Sequence, residues 1–236
     1  MTVRTEDRDQ VRIITLDRPD RRNAVDGPTA AALAGAFTEF ERDDGARVAV
    51  VTGAAGTFCA GNDLKAMAAG DFPAPTAGGP PPMAVTHTRS SKPVIAAIEG
   101  YCFGGGFELA LWCDIRVASE TAEFGLLNFE RGLPSMDGAT VRLPRLIGRS
   151  RALDVLLTAR RVPAGEALDW GIVTTLTGPG EALTAAVALA ERIAALPAAP
   201  LLAARTSLLD QSSLEEATAL RNETAQALAA VNQVAM

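Results

Sequence analysis

Between Pro93 and Trp112 the chain carries only two charged side chains, Glu99 and Glu108, and this run constrains the fold more than any other part of the sequence. Val94 to Ile98 reads as a strand opening on Pro93, and Phe107 to Trp112 as a short buried helix. Neither has a polar face to offer water, so both belong in a core. They are joined through Gly100 and the triplet Gly104, Gly105 and Gly106. At 236 residues the chain is long enough for one large core, and nothing in it forces a second.

Strand and helix signals alternate on either side of that run. Val11 to Leu16 and Arg47 to Thr52 read as strands, and Leu33, Ala36, Phe37 and Phe40 repeat between them at helical spacing. Ile115 to Ala118 and Ala122 to Phe124 read as further strands. From Asp137 onward the pattern is helical, over Gly138 to Ile147, Arg151 to Leu157, Glu181 to Ala194, Pro200 to Leu209 and Leu214 to Val231. The fold class is therefore α/β in front with a helical back. Gly70 to Pro82, with Pro73, Pro75, Pro80, Pro81 and Pro82, reads as a mobile loop.

Charge and cysteine usage exclude several classes of function. The 22 Lys and Arg against 28 Asp and Glu give a net charge of -6, which repels phosphate backbones and anionic membranes, so nucleic acid is not an expected partner. No stretch of about 18 uncharged apolar residues occurs, and Met1 to Gln10 is polar and charged, so neither a membrane span nor a secretion signal is expected. Cys59, Cys102 and Cys113 are odd in number and lack Cys-x-x-Cys spacing. That argues against a disulfide framework or a zinc site and fits a reducing cytoplasm.

Two segments carry the chemistry: Thr57-Phe58-Cys59-Ala60-Gly61-Asn62-Asp63-Leu64, and Lys92 to Ala110 with its glycine triplet. Each puts glycine before a helix start, where the backbone can approach a ligand closely and the first N–H groups have no helical partner. A triple glycine alone would signify only a tight turn. Together the two segments resemble the crotonase, or enoyl-CoA hydratase and isomerase, superfamily. The likeness runs from Arg18-Pro19 to Trp170-Gly171 through Arg22-Asn23-Ala24, Cys113 to Ala118, Arg142 to Gly148, and Leu156-Leu157-Thr158 leading to Glu166 to Gly171.

The resemblance implies a spiral of strand-strand-helix units over residues 1–195, followed by a helical region over 196–236 that is shorter than in many relatives. It implies an acyl-CoA thioester substrate, no cofactor beyond the coenzyme A of that substrate, and assembly into homo-trimers or hexamers. An oxyanion hole would be formed by the N–H groups of Asn62 and Gly105. Arg22, Ala24, Ala60, Asp63, Leu64 and Gly104 would line the CoA and substrate path. Asp63 equally suits a helix N-cap.

Glu108, two residues after Gly106, matches the catalytic glutamate of hydratase-like members. Burial would raise its pKa and the helix start would lower it, and the sequence leaves the balance open. The position expected to hold a second glutamate is Asn128, whose amide can hold a water but cannot take its proton. Asp137, in Asp137-Gly138-Ala139-Thr140, resembles the catalytic aspartate of dienoyl-CoA isomerases and 4-chlorobenzoyl-CoA dehalogenases in the family, or else N-caps the helix that follows. Glu130 reads as a surface carboxylate paired with Arg131.

No Gly-x-Ser-x-Gly elbow accompanies His87, the single histidine, and neither a Gly-x-Gly-x-x-Gly pattern nor a Gly-Lys-Ser/Thr loop is present. Hydrolase-triad, NAD and ATP chemistry are therefore not indicated. The leading expectation is an enoyl-CoA hydratase-like lyase using Glu108, with Asp137 as a second carboxylate and Asn128 orienting water. Double-bond isomerisation, displacement with Asp137 as nucleophile, and a non-catalytic CoA-thioester-binding subunit stand as alternatives.

Overall fold

The computed structural model describes residues 1–71 and 76–234. The elements are β1 (Val3–Arg8), β2 (Val11–Leu16), α1 (Gly27–Arg42), β3 (Val48–Gly53), α2 (Leu64–Ala69), β4 (Val94–Ile98), β5 (Tyr101–Phe103), α3 (Gly105–Trp112), β6 (Ile115–Ser119) and β7 (Glu123–Gly125). Then follow α4 (Ala139–Ile147), α5 (Arg149–Thr158), β8 (Val162–Pro163), α6 (Ala164–Asp169), β9 (Thr175–Thr177), α7 (Ala182–Ala194), α8 (Ala198–Asp210) and α9 (Glu216–Val234).

The strands form two sheets, one ordered β1-β2-β3-β4-β6-β9 and one ordered β5-β7-β8. Within the larger sheet only the β1–β2 pair is antiparallel, and Val50, Ile95 and Ile115 stand side by side across β3, β4 and β6. From β4 to β7 successive strands alternate between the sheets. β4 lies in the larger sheet and β5 in the smaller before α3 begins, and β6 and β7 repeat that step. This is the strand-strand-helix spiral expected from the sequence.

Full burial explains the apolar strands. Every residue of β4 is buried, as parallel strands covered on both faces require. Phe40, Phe58, Phe107, Phe124, Ile14 and Leu16 are the large fully buried side chains around them. Lys92, just before β4, extends its Nζ to the carbonyls of Phe40, Asp43 and Ala46, tying the end of α1 to the sheet. β1 differs: only Val3 is buried, and Arg4 to Arg8 are exposed along the sheet edge.

The chain divides into two compact units, Met1–Ala190 and Glu191–Met236. In the second unit α8 packs against α9. Among the described residues no single helix is long and apolar enough to cross a membrane. Within the expected Gly70 to Pro82 loop, Phe72 to Pro75, including Pro73 and Pro75, lie outside the described residues. The rest forms turns, with Gly79 N–H donating to Thr76 at 3.0 Å. α3 begins two residues earlier than its apolar run, because Gly105 and Gly106 themselves enter the helix.

Candidate active site

The two glycine segments meet because residues 58 to 62 run alongside β5. Phe58 N–H donates to Glu99 at 2.8 Å, Cys59 N–H to Tyr101 at 2.9 Å, and Phe103 N–H to Cys59 at 3.0 Å. The chain then passes Gly61, whose φ of +95° excludes most side chains. A Cβ there would lie 2.9 Å from the Phe103 oxygen and 3.1 Å from Gly105 N, so glycine is what allows the close approach. Gly106 is held to the same segment, since a Cβ on it would sit 2.3 Å from the Cys59 carbonyl oxygen.

The backbone N–H groups of Asn62 and Gly105 are both near this meeting point. Val25 N–H donates to Gly61 and Asp63 N–H donates to Val25, both at 2.8 Å. Because those two bonds flank Asn62, its own N–H faces away from Val25. Gly105 opens α3, so its N–H has no helical acceptor, while Gly104 N–H is occupied by Gly125 at 2.8 Å.

A cavity of about 250 Å³ adjoins them, and its lining includes Asn62, Gly104, Gly105, Glu108, Asn128 and Arg22. Glu108 is 2% exposed and projects from the first turn of α3. Its Oε1 accepts N–H bonds from Asp137 at 3.1 Å and Ala139 at 2.9 Å, at the start of α4. Burial is the strongest influence and raises its pKa to about 7. The Ala139 N–H opposes that rise, and the Asp137 charge reinforces it. The balance left open by the sequence thus falls to burial.

Asn128 Nδ2 donates to the Leu133 carbonyl at 2.9 Å, which turns Oδ1 the other way. That oxygen is buried without a hydrogen-bond partner and lies 3.7 Å from the place a Cβ on Gly104 would occupy. Asn62 Oδ1 is likewise buried and unpartnered, 3.4 Å from the corresponding point on Gly105. The site thus presents a pair of N–H donors, one carboxyl poised near neutrality, and fixed amide oxygens without donors.

Ala60 and Leu64 also line the cavity, as the sequence predicts, but Ala24, Asp63 and Asp137 are not among its lining residues. Asp63 is the N-cap of α2, accepting from Lys65 N–H at 3.1 Å and Ala66 N–H at 3.3 Å, and it pairs with Arg18 at 3.0 Å. Burial is the largest single influence and raises its pKa, but those bonds and the Arg18 charge together outweigh it and hold the carboxyl below its ordinary value. Ala24 is buried, with its carbonyl accepting from the Arg18 guanidinium. Asn23, beside it, is structural: Nδ2 donates to the carbonyls of Ala54 at 2.9 Å and Thr57 at 2.6 Å.

Asp137 is not the N-cap expected for α4. The N-cap of α4 is Gly138, with no side-chain cap bond, and the Asp137 carboxylate instead accepts from Met83 N–H at 2.8 Å and Thr86 Oγ1 at 2.7 Å. It is fully buried, and that burial raises its pKa. Sequence reasoning missed Met67, Leu133, Met136 and Arg131, which also line the cavity. The Leu64 to Met67 spacing on α2 was the one available signal. At the cavity mouth the Arg22 guanidinium lies 5.5 Å from the Tyr101 ring, and Tyr101 stacks on Phe103 at 5.2 Å.

This fold and site define a class. A family model for enoyl-CoA hydratase/isomerase matches residues 6–235, and the chain belongs to that family. It is an acyl-CoA-processing enzyme of the hydratase type. Particular relatives sharpen the picture. The chain is 37% identical over 188 residues to mevalonyl-coenzyme A hydratase sidH of Aspergillus fumigatus, covering 77% of this chain and 68% of that protein. It is 42% identical over 182 residues to a carnitinyl-CoA dehydratase of Salmonella arizonae, covering 76% and 69%. Among solved structures, an enoyl-CoA hydratase from Mycobacterium tuberculosis superposes with a TM-score of 0.90 at 37% identity, covering 95% of this chain and 88% of that one. One from Mycobacterium marinum gives 0.92 at 36% identity, covering 98% and 90%. The α/β spiral is accordingly the crotonase fold.

Proposed function

We propose that the enzyme adds water across the double bond of a 2-enoyl-CoA thioester, or removes it in the reverse direction, through an enolate held by the N–H groups of Asn62 and Gly105. The observation that supports this most is the convergence of those two donors with a buried carboxyl of pKa about 7 in one cavity. In the hydration direction Glu108, as carboxylate, accepts a proton from water. The water oxygen bonds to Cβ, and the displaced electron pair moves onto the thioester oxygen. The enolate then collapses and Cα takes a proton from Glu108, restoring the carboxylate.

Asn128 Oδ1 accepts a hydrogen bond from the water and orients it, while Glu108 performs both proton steps. Removing one oxyanion donor typically costs about 2.7–4 kcal/mol of transition-state stabilisation, so the pair of N–H groups is the larger contributor. Arg22, Ala60, Leu64 and Gly104 take the CoA and pantetheine side. No group beyond the coenzyme A of the substrate is needed for these steps. Exposed Val141, Leu153 and Leu157 offer apolar surface for self-association into a trimer or hexamer.

Glu108→Gln tests the assignment on a panel of 2-enoyl-CoA thioesters. Turnover should fall by about 100-fold or more while thioester binding stays within about threefold, because the amide keeps the shape and loses the proton. Undiminished turnover would remove Glu108 from the mechanism. A second reading, double-bond isomerisation, is favoured by one feature: among the described residues that line the cavity, Glu108 is the only carboxyl, and isomerisation needs just one acid/base. Oxygen from labelled water appears in the product of hydration and not in that of isomerisation.

A further inference from the structure

Residues 83–87 and 136–142 are fastened together at several points behind the site. Asp137 Oδ1 accepts from Met83 N–H at 2.8 Å and from Thr86 Oγ1 at 2.7 Å. Arg142 spans the same two segments, donating from Nη1 to the Asp137 carbonyl at 2.8 Å and from Nη2 to the Thr86 carbonyl. His87 Nε2 lies 2.7 Å from the Met136 carbonyl oxygen. Met83, Thr86 and Asp137 are all fully buried.

Each end of this fastening touches the reaction machinery. The Met83 thioether fills the space beside Gly105: its sulfur lies 2.9 Å and its Cγ 3.0 Å from where a Cβ on Gly105 would stand. At the other end, the Asp137 N–H donates to Glu108 Oε1 at 3.1 Å.

We propose that Asp137 is a positioning residue, a clamp whose carboxylate seats Met83 against Gly105 while its backbone N–H aims Glu108. The spacing between the oxyanion donor and the acid/base is then set by one residue that touches neither water nor thioester. The clamp rests on the proposed roles of Gly105 and Glu108. It assigns the Asp137 side chain hydrogen-bond acceptance alone, with no proton transfer and no bond to substrate.

The test compares Asp137→Asn, Asp137→Ala, Met83→Ala and Thr86→Val with wild type and Glu108→Gln, using crotonyl-CoA as the probe and circular dichroism to confirm folding. An asparagine oxygen can accept both bonds, so Asp137→Asn should keep kcat within about threefold. Asp137→Ala and Met83→Ala should lower kcat by about tenfold to a hundredfold with KM changed less than about threefold, the signature of displaced reacting groups. Thr86→Val should move kcat in the same direction by less, and with Met83→Ala it decides the matter if Asp137→Ala does not fold. Wild-type kcat in folded Met83→Ala and Thr86→Val, or an Asp137→Asn as slow as Asp137→Ala, overturns the clamp. Retained turnover in Glu108→Gln instead overturns the underlying reading of the site, and the clamp with it.

Discussion

Glu108 holds its pKa near 7 at the expense of stability. Its carboxyl is protonated in both folded and unfolded chains below the ordinary value of 4.5. As pH rises from there toward 7, the unfolded chain releases the proton and the folded chain keeps it, so the stability present at low pH is lost. At about 1.4 kcal/mol per pKa unit the loss is on the order of 3–4 kcal/mol. Glu108→Gln keeps an acceptor for the Asp137 and Ala139 N–H groups and carries no charge to bury. Its melting temperature should therefore exceed that of wild type near about pH 9, with the gap closing toward about pH 4. Equal melting temperatures at both would show that burial is not what raises this carboxyl. In wild type the same titration predicts that kcat/KM for hydration climbs through about pH 7, since Glu108 must start as the carboxylate.

At the scale of elements, the union of the 58–62 segment with α3 depends on glycines that leave no room for a side chain. Gly106→Ala would drive a methyl group into the Cys59 carbonyl, at 2.3 Å before relaxation. The helix start must then back away, moving the Gly105 N–H relative to Asn62. We expect a stability loss of about 1–3 kcal/mol and, in the folded fraction, a fall in kcat of about tenfold or more. Thermal melts and active-site titration read the two effects separately, and unchanged kcat would mean that the contact between the segments does not set the donor geometry. Much of this layer was legible in the sequence, because β2, β3, β4 and β6 are apolar runs and α1, α4, α5 and α7 keep helical spacing. β1 escaped notice because Arg4-Thr5-Glu6-Asp7-Arg8 has no buried face to leave a pattern. β5 and β9 have only three residues each and lie beside Gly100, the glycine triplet and Gly178, which read as turns. Glu108, Asn62, Gly105 and Asn128 could be picked out because local motifs fix them. The place of Asp137 could not, since its partners Met83 and Thr86 stand 54 and 51 residues away. Nor does any local pattern bring Met136 or Leu133 to the cavity.

For the whole molecule, the larger sheet needs more than a core to remain a single particle. Its interior strands are largely buried, and β2, Val11–Leu16, would expose Val11, Ile13, Ile14 and Leu16 at an open edge if β1 did not pair with it along six residues. β1 places Arg4, Glu6, Asp7 and Arg8 outward at that border, with Arg4 paired to Asp17 at 2.7 Å and Arg12 to Asp7 at 2.7 Å. A flat apolar edge is a template for strand addition by another chain, and charge along the border is a common defence against it. Removing residues 1–9 should leave cavity chemistry intact in freshly prepared protein, yet turbidity and thioflavin fluorescence should rise with time and concentration. A deletion variant that stays clear under those conditions would show that the border strand is dispensable. Rising turbidity would mean that the charged strand at one margin of the sheet, none of whose residues lines the cavity, governs how concentrated the enzyme can become before it is lost to amyloid-like assembly.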